Sequence, residues 1–190
     1  MENNMNGRIM IDTGRGGRTL CTGVRDTSAT APVQWVGRAL TEELEKRGYE
    51  TLLSQDVEEL NAEAQASGRP ALCAALARQW QAHCVLRLCV REGDTPVLGS
   101  AAATVHKGDR RAKALADLIL RRLDLGSELN TETVRAACSV LLLRRTPCPS
   151  VILVLKLPFV QMEYFCQADA DLYAHCIAQG IDAWMMSEGD

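Results

Sequence analysis

The segment IMIDTGRGG, Ile9 to Gly17, runs a short apolar stretch into a glycine-rich turn that carries an acid, Asp12, and a base, Arg15. Such a run reads as a buried strand ending in a tight turn. An arginine there is an unusual choice if the turn holds a metal, because a guanidinium offers five donors, no lone pair and a permanent positive charge. Two other apolar runs, Cys84–Val90 and Val151–Leu155, also end beside cations, Arg91 and Lys156. In open α/β sheets ligands collect beyond the carboxyl ends of the strands, which would bring Thr13–Gly17, Arg91 and the segment after Leu155 near one another.

Metal chemistry has little to draw on. The eight cysteines, at 21, 73, 84, 89, 138, 148, 166 and 176, are scattered through apolar segments, and the sequence contains no CxxC or HxxxH. Cys84 and Cys89 stand an odd number of positions apart on one strand, so their side chains point to opposite faces. The pattern suits reduced, buried thiols rather than a disulfide framework. His83, His106 and His175 are isolated and read as surface or strand-end residues.

The elements that must position these groups follow from periodicity. The apolar runs Ile9–Ile11, Tyr49–Leu53, Cys84–Val90, Ala101–Val105, Val140–Leu143 and Val151–Leu155 predict strands. Val33, Val36, Leu40 and Leu44 recur at helical spacing, with Pro32 in the first turn and Gly48 as the stop. A second helix begins near Pro70 with Leu72, Leu76 and Trp80 as its stripe. A third spans about Asp109 to Leu123 through Leu115, Ile119 and Leu123, and a last runs from about Ala168 to Met185 through Tyr173, Ile177, Ile181 and Trp184. Alternating strands and helices predict an α/β fold, a three-layer αβα sandwich around a mostly parallel twisted sheet of about six strands. The polar stretches Arg18–Ala31 and Gln55–Arg69 read as long connections of the kind that carry binding loops.

Bulk properties narrow the partners. The chain has 190 residues, 47% of them hydrophobic, enough for one well-buried core, so a single domain over 1–190 is expected. A net charge of −3 supplies no field for a phosphate backbone, so nucleic acid is not an expected partner. No leader and no apolar segment long enough to span a membrane is evident, and a cytoplasmic protein without membrane association is expected. Aromatic residues make up 4% of the chain, and Trp35, Trp80 and Trp184 fall at core-facing helical positions, which predicts no glycan-binding platform.

Taken in order, four segments resemble the zinc-dependent N-acetylmuramoyl-L-alanine amidases of the type-3 family, which cleave the bond between the muramyl lactyl group and the first alanine of the peptidoglycan stem. IMIDTGRGG is similar to the family's opening strand and its Asp-Pro-Gly-His-Gly-Gly turn. VGRALTEELEKRGYETLLSQD resembles its first helix and second strand, LCAALARQWQAHCVLRLCVR the stretch ending in a Ser-Ile-His metal site, and LLLRRTPCPSVILVLKLPF the late strand that leads to a catalytic glutamate. The resemblance covers nearly the whole chain and implies the amidase fold.

It also implies that the chemistry is altered. The family's first histidine ligand falls on Arg15, its glutamate ligand at or beside Ala29, its second histidine on Cys89, and its general acid/base glutamate on Lys156. A catalytic zinc needs about three lone-pair ligands and an open position for water. Arginine and alanine offer none, one cysteine does not hold a catalytic metal, and a protonated lysine takes no proton from water. The resemblance therefore implies a catalytically degenerate, metal-free amidase-like protein with a binding or regulatory role. Arg15 and Lys156 would replace the dication's charge. With Arg91 and the amides of Gly14, Gly16 and Gly17 they would form a pocket for an anion: a small molecule, a stem-peptide carboxylate or an acidic protein partner.

Three alternatives stay open. Arg15 could pair internally with Asp12 or Asp26, and Lys156 likewise with a neighbour. The chain could be an active amidase with zinc held by shifted ligands, or with Cys89 as nucleophile, although no histidine has an evident claim as its base. It could also have a structural role as a homo-oligomer through the helices at Val33–Arg47 or Ala168–Met185.

Overall fold

A computed structural model describes residues 7–14, 30–57, 69–93 and 98–188. In chain order the elements are β1 (Arg8–Asp12), α1 (Thr30–Lys46), β2 (Glu50–Leu53), a 3-10 turn (Ser54–Asp56), α2 (Arg69–Gln79), β3 (Cys84–Glu92) and β4 (Ser100–His106). Then come α3 (Arg110–Gly126), β5 (Asn130–Thr131), β6 (Arg135–Ala137), α4 (Leu141–Arg145), β7 (Ser150–Leu157), α5 (Phe159–Glu163) and α6 (Gln167–Glu188). The strands form one sheet in the order β2-β1-β3-β7-β4-β5, with β6 also on β4. Every pairing is parallel except β4 with β7.

Both faces of the sheet are covered, and strand alternation explains how. Ile9 and Ile11 of β1, Leu86, Leu88 and Val90 of β3, and Val151, Leu153 and Leu155 of β7 face a core shared with α1, α3 and α6. Met10, Val85, Cys89 and Ile152 face the other way, into a smaller cluster with Cys73 and Ala77 of α2 and Leu142 and Leu143 of α4. Strands buried on both sides read as continuous apolar runs, which is why β1, β3 and β7 were legible. Cys84 and Cys89 point to opposite faces as their spacing requires.

The predicted stripes of α1, α3 and α6 are the buried ones, down to Trp184, which is 1% exposed. Asp109 caps α3, its Oδ1 accepting from the Ala112 amide at 2.9 Å. Helix α1 ends in a Schellman motif: the Tyr49 amide donates to Leu44 O at 3.1 Å, the Gly48 amide to Glu45 O at 2.9 Å, and Gly48 takes φ +89°.

Four expectations need correction. Val140–Leu143 is not a strand; Val140 caps α4 and Leu142 and Leu143 are packed against the sheet from outside. A four-residue apolar run satisfies either period, and here β4 and β7 already pair with each other. Helix α2 buries Cys73, Ala74 and Ala77 most deeply, with Leu76 and Trp80 of the expected stripe packed partly buried against the same cluster and Leu72 left 37% exposed, so small side chains make up most of its contact face. The sheet has seven strands, because β5 and β6, two and three residues long, are too short and polar to show a pattern. Finally, Trp35 is 40% exposed and Trp80 half-buried; of the three tryptophans only Trp184 is a core residue.

Candidate functional site

Strands β1, β3 and β7 lie side by side and parallel, so their carboxyl ends share one edge of the sheet. The register pairs Asp12 with Arg87, Cys89 with Val154, and Arg91 with Lys156. Alternation puts Asp12, Arg87, Cys89, Arg91 and Lys156 on the α2/α4 side. They form a row that climbs about 13 Å from Arg87 to Arg91 at about 3.3 Å per residue.

The bottom of the row is a buried charge cluster. Asp12 is fully buried. Its Oδ2 accepts from Arg87 Nη1 at 2.7 Å, and its Oδ1 from Arg69 Nη2 at 3.1 Å, Ser54 Oγ at 2.8 Å and the Gly14 amide at 3.1 Å. Burial alone would raise the Asp12 pKa, but the two guanidiniums and the Ser54 and Gly14 hydrogen bonds outweigh it and hold the carboxyl well below its ordinary range. Gly14 adopts φ +61°, and a Cβ there would come within 2.9 Å of Arg87 Nη2, so the turn needs glycine for both conformation and space. The Thr13 amide donates to Ser54 Oγ at 3.2 Å, which ties the end of β1 to the 3-10 turn.

Higher on the row the environment changes. Cys89 is 7% exposed and packs in the apolar cluster under α2 and α4. Lys156 Nζ donates to Glu132 Oε1 at 3.2 Å. Glu132 also accepts from Arg135 Nη2 at 2.6 Å and from Ser100 Oγ at 3.4 Å. Burial works to raise the Glu132 pKa, yet the bond and charge of Lys156, with Arg135, bring it below its ordinary value. Arg91 is half-buried beside Lys156, and its side chain makes no hydrogen bond or ion pair among the described residues.

Of the sequence-predicted site residues, Arg91 and Lys156 are therefore neighbours, while Gly14 follows Asp12, whose register partner Arg87 stands four residues below Arg91, and its amide is already engaged by Asp12. Arg15, Gly16, Gly17 and Ala29 lie outside the described residues. The sequence reading missed Arg69, Arg87 and Glu132. Arg87 had a signal, a charge in the middle of the apolar run CVLRLCV, which implies a buried counter-charge. Glu132 had none, because its partner is reached through the short strand β5.

The edge also carries exposed apolar groups. Helix α5 follows β7 directly and buries none of its residues, leaving Phe159 and Val160 more than half exposed, with Tyr164 just beyond. Trp35 stacks on Phe165, ring centroids 6.1 Å apart, and Phe165 on Tyr173 at 6.4 Å. Among the described residues no three histidine, cysteine or carboxylate side chains gather as a metal site would need, and no helix is long and apolar enough to cross a membrane.

No protein-family model matches the sequence, and no curated protein does. Solved structures do match. The CwlD amidase of Clostridioides difficile, determined in complex with the GerS lipoprotein, superposes with a TM-score of 0.74 at 16% identity, over 96% of this chain and 100% of that one. An N-acetylmuramoyl-L-alanine amidase of Nostoc punctiforme gives 0.71 at 16% identity over 95% and 98%. The catalytic domain of a Paenibacillus polymyxa amidase gives 0.69 at 14% over 95% and 98%. At such identity the likeness speaks for architecture, and the architecture is that of the N-acetylmuramoyl-L-alanine amidases.

Proposed function

We propose that this chain is a non-catalytic binding or regulatory protein built on an amidase fold and connected with peptidoglycan metabolism, whose carboxyl-edge site receives an anionic group in place of a metal. The observation that carries the reading is the Arg91–Lys156 pair. At the end of β7, where the resembled enzymes have a catalytic glutamate, stands a lysine engaged by Glu132, with an arginine beside it in register. The donor set around it does not fit zinc. Lys156 and Arg91 bring positive charge, Cys89 is enclosed by apolar side chains, and Asp12 has both oxygens committed to Arg69, Arg87, Ser54 and Gly14. Two adjacent half-buried cations favour a carboxylate or phosphate, and a stem-peptide carboxylate fits both that chemistry and the fold.

The test has two arms. Chelator-treated protein is titrated with zinc by calorimetry and assayed on muropeptide, with no binding heat and no cleavage expected; stoichiometric zinc retained through dialysis, or release of stem peptide, would overturn the reading. Binding of anionic stem peptide is then compared in wild type and Arg91→Ala. A loss of about 1.5–3 kcal/mol is expected for hydrogen bonds to a charged group, and equal affinity would remove Arg91 from the site.

A further inference from the structure

A cavity of about 350 Å³ lies at the opposite end of the sheet, where β3 and β7 begin. Its lining includes Arg78 and Gln81 from the end of α2, His83 just before β3, Arg111 from the first turn of α3, and Cys148 and Pro149 just before β7. Four of these side chains present donors. The Arg78 side chain makes no hydrogen bond or ion pair among the described residues. Arg111 is fixed by Glu188, which takes Nε and Nη2, and by the Trp184 ring 5.8 Å beneath its Cζ, and this leaves Nη1. His83 Nδ1 accepts from the Arg8 amide at 2.9 Å, so the ring proton sits on Nε2. Gln81 Oε1 accepts from Arg8 Nη1 at 3.2 Å, which frees its amide nitrogen.

Acceptors, in contrast, are used up. No carboxylate lines the cavity. Glu188 belongs to Arg111, Asp109 caps α3, and Glu50 pairs with Arg8 Nε at 3.0 Å. The last carbonyls of α2 are closed by the amides of Trp80, Gln81 and Ala82. Cys148 is a neutral thiol, its pKa pushed up to about 11 chiefly by burial. Gln81 itself sits at φ +56°, the single non-glycine residue with positive φ among those described. It occupies the Schellman position that Gly48 fills at the end of α1, so a strained glutamine stands on the cavity wall where glycine would be easier.

We infer that this cavity is a second ligand site, remote from Lys156, that binds a phosphate monoester. Two guanidiniums and a histidine N–H from three separate elements surround a tetrahedral dianion better than a planar carboxylate, which one arginine satisfies bidentately. The volume admits a ring or short chain, which would rest on Pro147, Pro149 and the Cys148 thiol. The site is independent of the reading given to the carboxyl edge.

The experiment titrates isotope-labelled full chain with phenyl phosphate, benzoate and inorganic phosphate by NMR. Phenyl phosphate is expected to move the His83 ring, Gln81 and Cys148 resonances while leaving Arg91 and Lys156 in place, and Arg78→Ala to weaken it about tenfold or more. Arg78 is exposed and unpaired among the described residues, so this variant should fold; Arg121→Ala, on the outside of α3, should bind as wild type. Absence of shifts to roughly 10 mM, a range that detects even weak binding, or equal affinity in Arg78→Ala, overturns the site. Benzoate binding as tightly overturns the phosphate assignment, and inorganic phosphate binding as tightly overturns the role of the apolar wall.

Discussion

Replacing Asp12 by Asn isolates what the buried charge cluster contributes. Asparagine keeps an oxygen for Ser54 and the Gly14 amide, but it removes the negative charge shared by Arg69 and Arg87, whose side chains are 8% and 10% exposed, and turns an amide N–H toward one of them. Removing one partner of a buried ion pair typically costs about 3–5 kcal/mol, mostly because the other charge is left uncompensated. For a chain of this size that lowers the melting temperature by roughly 6–20 °C, at 2–4 °C per kcal/mol. Urea unfolding followed by circular dichroism measures the difference directly. The pH dependence supplies a second check. Asp12 has a folded-state pKa well below its ordinary 3.8, so its stabilisation is complete above the unfolded-state value and is lost as pH falls through the folded one. The gap between wild type and D12N should therefore be constant from about pH 5 upward and narrow in acid below about pH 4. A gap under about 1 kcal/mol at pH 7, or one that does not narrow in acid, refutes the assignment of Asp12 as the counter-charge. Replacing all three residues with apolar side chains should fall closer to wild type than D12N does, since no charge is then stranded.

Other outcomes follow from single features. Gln81→Gly should raise stability by about 0.5–1 kcal/mol in thermal melts, because glycine adopts the left-handed conformation without the Cβ clash; a loss instead would mean the Arg8–Gln81 hydrogen bond outweighs the strain. Gly180→Ala should destabilise by about 1–3 kcal/mol in urea titration, since its Cβ would meet the Ile119 backbone at 2.6 Å and force α3 and α6 apart. Gly126→Ala should cost less, as its Cβ meets the Cys176 sulfur, which can rotate away. In a short iodoacetamide pulse at pH 8 read by mass spectrometry, the exposed Cys138 and Cys166 should be labelled first among the described cysteines. Cys148, whose pKa burial pushes up to about 11 from an ordinary 9.0, should react more than about tenfold slower than an ordinary thiol.

The fold was readable wherever one signal dominated. Residues such as Leu40, Ile119 and Ile181 repeat at helical spacing over several turns, and β1, β3 and β7 are uninterrupted apolar runs between polar segments. It was unreadable where two signals balanced. Val140–Leu143 suits a strand or a helix, and α2 is most deeply buried at Cys73, Ala74 and Ala77, whose small side chains weigh little beside Leu72 in any hydropathy pattern. The placement of the candidate site's residues was half readable for a related reason. Arg91 and Lys156 end apolar runs, which marks the edge of a sheet, but a pairing such as Arg87 with Asp12, 75 positions away, exists only once strand order is known. Glu132 is further removed still, since it reaches Lys156 across the antiparallel junction of β4 and β7.

The position of β7 bears on how the molecule is assembled during synthesis. Strands β2, β1 and β3 can pair with one another as soon as residue 92 is made, and β4 can pair with β5 and β6 by residue 137. Among the described strands no pairing joins the two groups until residues 150–157 arrive and slot between β3 and β4. For the time it takes a ribosome to add those residues, each half-sheet shows an open edge to its surroundings, the more so because long-range parallel pairing is slow. The cell meets this chain first as two unsatisfied edges, and a translation product ending before Ser150 would be expected to aggregate or be degraded rather than persist as a smaller folded form.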